Sequence, residues 1–502
     1  MRLSELTQGL PIVWAHGDAE IRGICVDSRR VQPGDLFVAI VGRQRDGHQF
    51  VADALKRGAA AVLVQAGKHN GAFTKVPDAV YYVVPDTRDA LWRIAQRFYG
   101  DPCRHLIVAG VTGTNGKTTT THMVQKILAA TGKPTLIVGT LGAWIEYPNG
   151  TRHPIAEEGE FTTPEVYQLQ AMLRCALDIG AQAAVMEVSS HALDQKRADG
   201  VRFDVGVFTN LTQDHLDYHG TMEAYAQAKL RLFTELAEQG GKPFKAVINV
   251  DDAWGRRFAA KARGAVYTYG QSESAWVRAT EVEFRTDGLR FTVRTPGYED
   301  TTFELRLIAP YNLYNALAAI ATGLALELPM EAIQRGLAQL TQVAGRFQRV
   351  PIDADYQVVV DFAHTPDALQ RVLEAGRMLN PTRLTVLFGC GGDRDATKRP
   401  LMGKIAAELA DRVILTSDNP RTEDPTRILE QILAGVPESL RYKVALVEVD
   451  RRRAIEYALH TAQSGELVLL AGKGHEPYQI IGTEKLPFSD VEVAQEVAGA
   501  KR

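Results

Sequence analysis

Short apolar runs that alternate with helical stretches are the feature that most restricts the fold of this chain. From Leu106 onward, the runs HLIVAG, AQAAVMEV, DVGVFTNL and KAVINVDD are apolar throughout and lack the polar–apolar alternation of a half-exposed strand. Strands of this kind are usually buried on both faces. The pattern therefore predicts an α/β fold, in which helices cover both faces of a parallel sheet.

The same alternation of strands and helices divides the chain into domains, since 502 residues are too many for one hydrophobic core. The first part contains the apolar runs DLFVAIVG and AAAVLV, and it closes with a helical stretch in which Leu91, Ile94, Ala95 and Phe98 share one face. After VAGRFQRV a second series of predicted strands begins: YQVVVDFAH, RLTVLFGCGG, DRVILTSDNP, YKVALVEVD and ELVLLAGKGHE. The predicted domains span residues 1–100, 101–342 and 343–502.

Composition excludes several classes of protein. The net charge of −3 gives no basic surface for nucleic acid, so we expect no nucleic-acid partner. The four cysteines lie far apart without a CxxC pair, which argues against a zinc site or a disulfide framework. The N-terminal segment lacks a signal-peptide core, and no apolar run approaches the roughly 18 residues of a membrane span. We expect a soluble, cytoplasmic, monomeric protein without membrane contact.

Polar clusters follow the predicted strands one after another. In open α/β sheets, ligands bind beyond the carboxyl ends of the strands, which is where these clusters stand. A turn must be polar in any case, but that explains one or two clusters better than seven rich in ionisable residues. The seven clusters are 113–117, 187–189, 210–215, 361–364, 393–394, 418–421 and 473–476.

The segment GTNGKTT between a buried strand and a helix is the strongest single motif. Glycines let the backbone close around a phosphate, and successive N–H groups with the helix N-terminus supply positive potential. Lys117 would neutralise the β- and γ-phosphates, and Thr118 would hold Mg²⁺. Val111 stands where a standard P-loop has glycine, and a helix-capping glycine turn is the alternative. The predicted phosphate-binding residues are Gly113, Thr114, Asn115, Gly116, Lys117, Thr118 and Thr119.

A phosphate loop alone fits GTPases, kinases, motors and ligases, so further motifs are needed to distinguish these classes. The segments GTNGKTTT, MEVSSHALDQKR, FTNLTQDHLDYHGTMEAYAQAK, YNLYNALAA, DFAHTPDAL, CGGDRDATKRP, SDNPRTEDP and AGKGHE stand in this order. In this arrangement the chain resembles the Mur ligase family, from DSRRVQPGDLFVA near residue 27 to GKGHE at residue 476. Within the family it looks like the members that add the third residue of the peptidoglycan stem peptide.

The resemblance implies an ATP-dependent amide ligase with three α/β domains. A small N-terminal domain would bind the UDP moiety, a central P-loop ATPase-like domain would bind ATP, and a Rossmann-like C-terminal domain would present the amino acid. The implied substrates are UDP-N-acetylmuramoyl-L-alanyl-D-glutamate, meso-2,6-diaminopimelate and ATP. ATP would convert the terminal carboxylate into an acyl phosphate, which the incoming amine attacks.

The resemblance also assigns catalytic and metal-binding roles. Lys117 and Thr118 keep the roles given above, and Glu187 would be a Mg²⁺ ligand. His215 matches the family's ligand to a second metal ion, whereas an isolated histidine is usually structural. Lys229 matches a lysine that the family carbamylates to bridge the metals, which requires a depressed pKa of the amine. Without the flanking motif, Lys229 would read as an ordinary polar helix residue.

Further residues match the family's contacts to ATP and to the UDP substrate. Asn312 and Asn315 resemble adenine-side contacts, although two satisfied asparagines in a buried helix are the rival interpretation. Arg346 and Asp361 match residues that reach the nucleotide from the C-terminal domain. The UDP-substrate residues are Val26 (through its backbone or packing), Ser28, Arg43, Gln44, Arg45, Phe161, Thr162, Thr163, Ser189, Gln195 and Arg197.

Two of the segments that contain these residues depart from the family pattern. Phe161 stands where certain members have asparagine before the TT pair, and RQR at 43–45 replaces a stretch similar to HQA. These departures affect the contacts to the UDP substrate.

The amino-acid site is expected on the last domain. The Asn-Pro pair in SDNPR makes a rigid turn that directs Arg421 outward. Two arginines and a carboxylate suit an amino acid with two carboxylates and an amine, since a guanidinium can hold a carboxylate with two parallel hydrogen bonds. An exposed arginine after a turn is the structural alternative. The predicted residues are Arg394, Asp418, Asn419, Pro420, Arg421, Gly472 and Glu476.

Three other functions remain open from the sequence. The nearest is the lysine-adding ligase of the same family, which differs only at the amino-acid pocket. Folylpolyglutamate synthetase shares the ATPase core but lacks the DSRRVQPGDLFVA domain and the DNPR motif. A nucleotide-dependent switch would hydrolyse ATP without ligation, but it leaves the arginines of the last domain unexplained.

Overall fold

The structure is a computed structural model that describes residues 1–42, 45–68, 79–156, 161–285 and 287–499. It confirms the α/β class and the arrangement of three domains, each built on its own sheet. The predicted boundaries at residues 100 and 342 stay predictions. Among the described residues, no helix is long and apolar enough to cross a membrane. The predicted residues Arg43 and Gln44 lie outside the described residues.

The N-terminal domain contains a five-stranded sheet in the order β1-β5-β4-β3-β2, in which β1 alone of the described strands is antiparallel to its neighbour. Its strands are β1 Trp14–His16, β2 Gly23–Cys25, β3 Asp35–Val38, β4 Ala61–Gln65 and β5 Tyr81–Val84, and its helices are α1 Leu3–Leu6, α2 Val51–Lys56 and α3 Thr87–Phe98. The side chain of Asp86 caps α3 by accepting from the N–H groups of Arg88 and Asp89. The predicted apolar face of α3 is buried at Leu91 and Ile94.

The central domain is built on a sheet with eleven described strands, in the order β16-β15-β14-β13-β12-β11-β6-β10-β7-β8-β9. The strands are β6 Ile107–Thr112, β7 Thr135–Gly139, β8 Gly142–Glu146, β9 Arg152–Ala156, β10 Ala183–Glu187, β11 Val205–Phe208, β12 Lys245–Asn249, β13 Ala265–Gly270, β14 Val277–Arg285, β15 Gly288–Arg294 and β16 Thr301–Leu305. The four strands predicted from uniformly apolar runs, β6, β10, β11 and β12, are parallel and central.

Helices cover this sheet on both faces. They are α4 Lys117–Ala130, α5 Val166–Asp178, α6 Ser190–Asp194, α7 Leu216–His219, α8 Met222–Leu230, α9 Glu235–Gln239, α10 Ala253–Ala259, α11 Asn312–Ala325 and α12 Met330–Ala338. Alternate residues of β6 enter different cores: Ala109 and Val111 pack with α4, α11 and α12, whereas Val108 packs with α5. Burial on both faces explains why the strand is apolar throughout.

Antiparallel strands extend the central sheet at both edges, and the apolar pattern of the sequence did not predict them. β8 and β9 extend one edge, and β15 and β16 extend the other. In β16, Thr301–Leu305, buried and exposed residues alternate, because one face of the strand is exposed to solvent. A search for uniformly apolar runs does not detect such strands.

The C-terminal domain has a sheet in the order β17-β18-β22-β19-β20-β21, parallel except at β17 among the described strands, with a separate β23–β24 hairpin. Its strands are β17 Gln348–Arg349, β18 Gln357–Asp361, β19 Leu384–Phe388, β20 Arg412–Thr416, β21 Val444–Glu448, β22 Leu467–Ala471, β23 Tyr478–Ile481 and β24 Glu484–Pro487. Its helices are α13 Pro366–Met378, α14 Lys398–Leu409, α15 Pro425–Ala434, α16 Arg451–His460 and α17 Asp490–Ala498. All five predicted strands of this domain are present.

Candidate active site

The loop between β6 and α4 can exist only with glycine at two positions. A Cβ on Gly113, whose φ is +151°, would lie 1.9 Å from Oγ1 of Thr209. A Cβ on Gly116, with φ of +85°, would lie 2.3 Å from Oδ1 of Asn315. Gly116 precedes the first residue of α4, so the helix N-terminus opens directly onto the loop. The geometry is that of an anion-binding turn.

Lys117 is the first residue of α4 and folds back over this loop. Its Nζ donates to the carbonyl oxygens of Gly113 at 3.0 Å and Thr114 at 2.9 Å. Burial lowers the pKa of the ammonium, while the carboxylates of Glu187 and Asp214 act in the opposite direction. The lysine is therefore held beside the phosphate loop, with two carboxylates within electrostatic range.

A cavity of about 520 Å³ lies between the central and C-terminal domains. Its volume is within the usual range for small-molecule sites, about 300–1,000 Å³. The carboxyl ends of β6, β10 and β11 open into it, together with the end of β18 from the C-terminal domain. The structure brings these predicted residues together in its lining: Thr114, Asn115, Gly116, Lys117, Thr118, Thr119, Thr162, Glu187, His215, Asn315, Arg346 and Asp361.

Glu187 ends β10 and is buried at the floor of this cavity. Its carboxylate accepts from the backbone N–H of Thr140 at 2.9 Å and from the Thr140 hydroxyl at 3.2 Å. The hydroxyl of Thr163 donates to the Glu187 carbonyl at 2.9 Å, and the N–H of Ser189 donates to the same hydroxyl oxygen at 3.1 Å. Thr162 and Thr163 are thus held beside the end of β10.

His215 lies on the wall of the cavity in a left-handed backbone conformation, with φ of +54°. Its Nε2 is 3.4 Å from Oδ2 of Asp214. Burial lowers the pKa of His215 to about 4, although Asp214 opposes the shift. The imidazole is therefore neutral at physiological pH, which is the form that ligates a metal.

Lys229 lies in α8 and is buried, with 1% of its surface exposed. Its Nζ donates to the carbonyl oxygen of Gly113 at 2.8 Å and lies 4.7 Å from the ring centroid of Tyr225. Burial, and then the charge of Lys117, lower the pKa of Lys229 well below its ordinary value. A lowered pKa favours the neutral amine, which is the nucleophilic form.

The oxygen donors around the phosphate loop suit Mg²⁺. Among the described residues, no group of three or more His, Cys, Asp or Glu side chains is arranged to hold an ion by itself. Mg²⁺ commonly binds through one or two carboxylates together with substrate phosphates and water, so a complete protein cage is not needed. Glu187 supplies a buried carboxylate, and Thr118 supplies a hydroxyl at the start of α4.

Arg346 and Asp361 bring the C-terminal domain to the phosphate loop. Nη2 of Arg346 donates to Oγ1 of Thr118 at 3.0 Å. Asp361 ends β18, and its Oδ2 accepts from the backbone N–H of Phe347 at 2.6 Å. Burial raises the pKa of Asp361 to about 6, and Arg346 opposes that shift. Both residues are lining residues of the cavity.

The two predicted asparagines have different environments. Asn315 is a lining residue, whereas Asn312 is buried one turn earlier in α11 and accepts from Nδ2 of Asn315 at 3.0 Å. The hydroxyl of Thr120 donates to Oδ1 of Asn315 at 3.4 Å. Asn312 thus orients Asn315, and the adenine contact of either residue stays a prediction.

A second cavity, of about 680 Å³, lies in the N-terminal domain. Val26, Ser28 and Arg45, which the sequence predicted for the UDP substrate, all line it. Additional cationic side chains line the same cavity, at Arg29, Lys56 and Arg57. Guanidinium and ammonium groups around a cavity of this size fit a diphosphate.

The remaining residues predicted for the UDP substrate lie near the end of β10. The guanidinium of Arg197 lies 4.6 Å from the ring centroid of Phe161, and its Nη1 donates to the carbonyl of Thr163. Phe161 is 44% exposed, so its ring presents an apolar surface to solvent. Ser189 caps α6 by accepting from the N–H of Ala192.

Gln195 lies where the first two domains meet. Its carbonyl accepts from Nη1 of Arg88, in α3, at 3.1 Å, and its side chain donates to the hydroxyl of Tyr218 at 3.1 Å. The residue therefore fixes a contact between the N-terminal and central domains.

The residues predicted for the amino acid meet at the carboxyl edge of the C-terminal sheet. Oε2 of Glu476 accepts from Nδ2 of Asn419 at 2.9 Å and from Nζ of Lys473 at 3.1 Å. A Cβ on Gly472 would lie 2.4 Å from Oδ2 of Asp418, so glycine is required there. These contacts place two of the predicted clusters, 418–421 and 473–476, against each other.

Arg421 follows the Asn-Pro turn and has a left-handed φ of +50°. The β23–β24 hairpin holds its backbone through the carbonyl of Ile480 and the N–H of Gly482. Burial, and then the charge of Arg394, lower the pKa of Arg421. Both side chains approach Gly391, where an added Cβ would lie 3.0 Å from Nη1 of Arg421 and 3.7 Å from Cγ of Arg394. A pair of neighbouring arginines is a suitable site for a carboxylate.

Several residues at these sites were not assigned roles from the sequence. Asp214 appeared only as part of a polar cluster, yet it lies within electrostatic range of Lys117, His215 and Lys229. Thr140 orients Glu187, and Asp367 accepts from Nδ2 of Asn115 at 2.9 Å across the domain boundary. For Asp214 the position after β11 was an available signal, whereas the contacts of Thr140 and Asp367 depend on tertiary structure.

Three family models match successive parts of the chain. They are described as Mur ligase family, catalytic domain, over residues 20–99; Mur ligase middle domain, over residues 111–323; and Mur ligase, glutamate ligase domain, over residues 345–474. Together they cover most of the chain and follow the three sheets.

Relatives and solved structures agree with these matches. A curated relative from Synechococcus elongatus, named UDP-N-acetylmuramoyl-L-alanyl-D-glutamate–2,6-diaminopimelate ligase, is 48% identical, covering 97% of this chain and 96% of the relative. A solved structure with the same ligase name is 34% identical, with a TM-score of 0.63 over 95% of this chain and 94% of that chain. The MurF ligase of Thermotoga maritima, solved in complex with ADP, shares the fold, with 20% identity and a TM-score of 0.64 over 95% of this chain and 96% of that chain. The chain therefore belongs to the Mur ligase family and is an ATP-dependent amide ligase of peptidoglycan precursor synthesis.

Proposed function

We propose that the protein joins meso-2,6-diaminopimelate to UDP-N-acetylmuramoyl-L-alanyl-D-glutamate and hydrolyses ATP to ADP and phosphate in doing so. The proposal rests on one observation above all: the side chains of Arg394 and Arg421 both approach Gly391, where an added Cβ would lie 3.7 Å from Cγ of Arg394 and 3.0 Å from Nη1 of Arg421. The carboxylates of Asp418 and Glu476 lie within electrostatic range of Arg421. An amino acid with an ammonium and a carboxylate at its far end matches this arrangement of charges. The 48% identical relative has the same reaction in its name.

The first step activates the carboxylate of the UDP substrate. One carboxylate oxygen attacks the γ-phosphorus of ATP, the bond from that phosphorus to the ADP oxygen breaks, and an acyl phosphate forms. Several anionic groups must approach one another for this reaction, so cations and N–H dipoles are needed. Lys117, the N-terminus of α4 and Arg346 supply them beside the phosphate loop.

The second step forms the amide. The neutral amine of diaminopimelate attacks the acyl carbon, the carbon–oxygen bond to phosphate breaks, inorganic phosphate leaves, and the amine loses a proton. The C-terminal domain presents the amino acid, and its loops 361–365 and 472–476 both begin at the carboxyl edge of the same sheet. Closure of this domain on the central cavity orients the two reacting groups.

Mg²⁺ would be held by Thr118, Glu187, His215 and a carbamate of Lys229, and it would neutralise charge on the phosphate oxygens. The environment of Lys229 supports the carbamate. The neutral amine attacks the carbon of CO₂, the N–C bond forms as one C=O π bond opens to leave a carboxylate oxygen, and the amine proton leaves to solvent. The lowered pKa of Lys229 favours the neutral amine, which is the form that reacts.

The UDP moiety is assigned to the cavity of the N-terminal domain and the muramoyl-peptide end to the residues near β10. Ser28 and Arg45 line that cavity, and Thr162 lines the central one. Gln195 joins the two domains that contain these cavities, through the bond from Arg88 to its carbonyl. We further expect the protein to act in the cytoplasm as a monomer.

An assay of amino-acid-dependent ADP release tests the proposal against a switch that hydrolyses ATP without ligation. Wild-type protein with the UDP substrate should release ADP rapidly only when diaminopimelate is present. Lys117→Ala should abolish that release, and the exposed control Lys261→Ala should not. Equal ADP release with and without any amino acid would refute ligation.

A further inference from the structure

Arg399, in the first turn of α14, is a buried cation that the proposed reaction does not use. It is 1% exposed, and it forms two parallel hydrogen bonds to the carboxylate of Glu423, both 2.9 Å long. Nη1 also donates to Oε1 of Gln431 at 2.7 Å, and Nη2 donates to the carbonyl of Gly391 at 3.2 Å. A bidentate arginine–carboxylate pair fixes the orientation of both partners.

Glu423 connects this arginine to the loop that contains Arg394. Oε1 of Glu423 accepts from the backbone N–H of Asp393 at 2.5 Å, in addition to its bond from Arg399. The carboxylate of Asp393 in turn accepts from the N–H of Thr422 at 3.2 Å and from its hydroxyl at 2.9 Å. The loops that follow β19 and β20 are therefore held together by hydrogen bonds in which each loop donates to the other.

The same two loops hold the arginines assigned to the amino acid. The N–H of Gly392 donates to the carbonyl of Asn419 at 2.9 Å, and Nη1 of Arg421 donates to the carbonyl of Gly392 at 2.9 Å. A Cβ on Gly392 would lie 1.9 Å from the carbonyl oxygen of Pro420, so the loops are in close contact.

Holding these loops together has an electrostatic cost. The side chains of Arg394 and Arg421 both approach Gly391, where an added Cβ would lie 3.7 Å from Cγ of Arg394 and 3.0 Å from Nη1 of Arg421, and the charge of Arg394 lowers the pKa of Arg421. The Arg399–Glu423 pair fixes the N–H of Asp393, the residue before Arg394, and the carbonyl of Gly391, three residues before Arg394. The pair therefore opposes a movement of the two arginines away from each other.

We propose that Arg399 and Glu423 are positioning residues for the amino-acid site, which set the separation of Arg394 and Arg421 and thereby the preference for an amino acid with a distal carboxylate. The proposal rests on the proposed function, since it assumes that those two arginines hold that carboxylate. Neither Arg399 nor Glu423 needs to touch the substrate. The charged pair acts through the backbone of two loops.

The chain offers a matched control in the same domain. Arg377 and Asp411 also form two parallel hydrogen bonds, both 2.7 Å long, and Asp411 also accepts from a backbone N–H, that of Leu384, at 2.8 Å. Asp411 precedes β20 and Leu384 begins β19, so this pair lies at the amino edge of the sheet, opposite the amino-acid loops. Asp411→Asn therefore breaks an equivalent pair away from the site.

The test compares Glu423→Gln with Asp411→Asn in steady-state kinetics. We expect Glu423→Gln to raise the KM for diaminopimelate about tenfold or more, because small displacements of binding groups have large kinetic effects. The KM for ATP and for the UDP substrate should stay within about twofold of wild type, and the preference for diaminopimelate over L-lysine should fall. Asp411→Asn should leave all three Michaelis constants and the preference unchanged.

A milder variant guards against loss of folding. Thr422 is exposed, and Thr422→Val removes its hydroxyl bond to Asp393 without disturbing the buried arginine. It should raise the KM for diaminopimelate in the same direction but by less. If both variants keep wild-type KM and preference, or raise all three Michaelis constants equally, the positioning role is refuted. Failure of the proposed function would be seen separately, as wild-type protein that does not ligate diaminopimelate.

Discussion

Nη2 of Arg346 donates a 3.0 Å hydrogen bond to Oγ1 of Thr118, which joins the start of the C-terminal domain to the first turn of the phosphate-loop helix. A second bond crosses the same boundary, from Nδ2 of Asn115 to Asp367 at 2.9 Å. The central cavity, proposed to hold ATP, is therefore closed by groups from two domains. ATP binding and the presentation of the amino acid are expected to be coupled through these contacts.

Replacing Arg346 should weaken the use of ATP specifically. Arg346→Ala removes a cation from the cavity and the bond to Thr118, so we expect the KM for ATP to rise about tenfold to a hundredfold. The KM for the UDP substrate should stay near its wild-type value, because its proposed cavity lies in the N-terminal domain. The measurement is steady-state kinetics, and the control is Arg335→Ala, which replaces an exposed arginine. Unchanged ATP kinetics in Arg346→Ala would show that the C-terminal domain does not contribute to the nucleotide site.

The pKa of Asp361 predicts how its replacement affects stability. Burial raises that pKa from 3.8 to about 6, so the folded state binds this proton more tightly than the unfolded state. The contribution of Asp361 to stability is then fully present below about pH 4 and is lost as the pH rises through about 6. Because one pH unit corresponds to about 1.4 kcal/mol, the loss amounts to about 3 kcal/mol.

Asp361→Asn cannot ionise and avoids this loss. In urea unfolding without ATP, the free energy of unfolding of the variant relative to wild type should therefore increase between pH 4 and pH 8. Asp355→Asn, at an exposed position of the same domain, serves as the control. A difference between Asp361→Asn and wild type that does not vary with pH would be inconsistent with a carboxyl group that titrates near pH 6.

Lys229 tests the proposed carbamate. Lys229→Ala should be nearly inactive, and added bicarbonate should not restore it, because the nitrogen that reacts with CO₂ is gone. Small carboxylic acids should restore part of the activity by supplying an oxygen ligand in the vacated space. Activity measurements, together with the mass of the intact wild-type protein and electron density at this side chain, decide the question. A bare amine at Lys229 in active, metal-loaded enzyme would contradict the carbamate.

Arg421 tests the assignment of the amino-acid site. Arg421→Ala should raise the KM for diaminopimelate about tenfold to a hundredfold, since a hydrogen-bonded charge pair is lost. The KM for ATP and for the UDP substrate should change little by comparison. Arg441→Ala, at an exposed position of the same domain, is the control. Equal effects on the Michaelis constants of all three substrates would remove Arg421 from the amino-acid site.

The parallel core could be predicted from the sequence because its strands are buried on both faces. Val108 and Val111 face different cores, so both faces of β6 had to be apolar, and the run was recognisable. The strand β16 was missed because Thr302 and Glu304 face solvent and interrupt the apolar pattern. Edge strands of this kind depend on pairing with distant segments, which local composition does not encode.

The site was predictable to the extent that it follows strand ends. Glu187 and Asp361 end buried strands, Lys117 follows the loop after β6, and all three line one cavity. Contacts across domains were not predictable in this way. The bond from Asn115 to Asp367 joins residues 252 positions apart, and no local pattern specifies such a contact.

The choice of amino acid is the central claim, and a direct comparison of kcat/KM tests it. Wild-type protein would be assayed with ATP, the UDP substrate and either meso-diaminopimelate or L-lysine, and the product nucleotide would be identified by mass. We predict that diaminopimelate is preferred by about a hundredfold or more, because L-lysine would leave the neighbouring guanidinium groups of Arg394 and Arg421 without their carboxylate. Ligation of L-lysine as efficiently as meso-diaminopimelate would contradict the account.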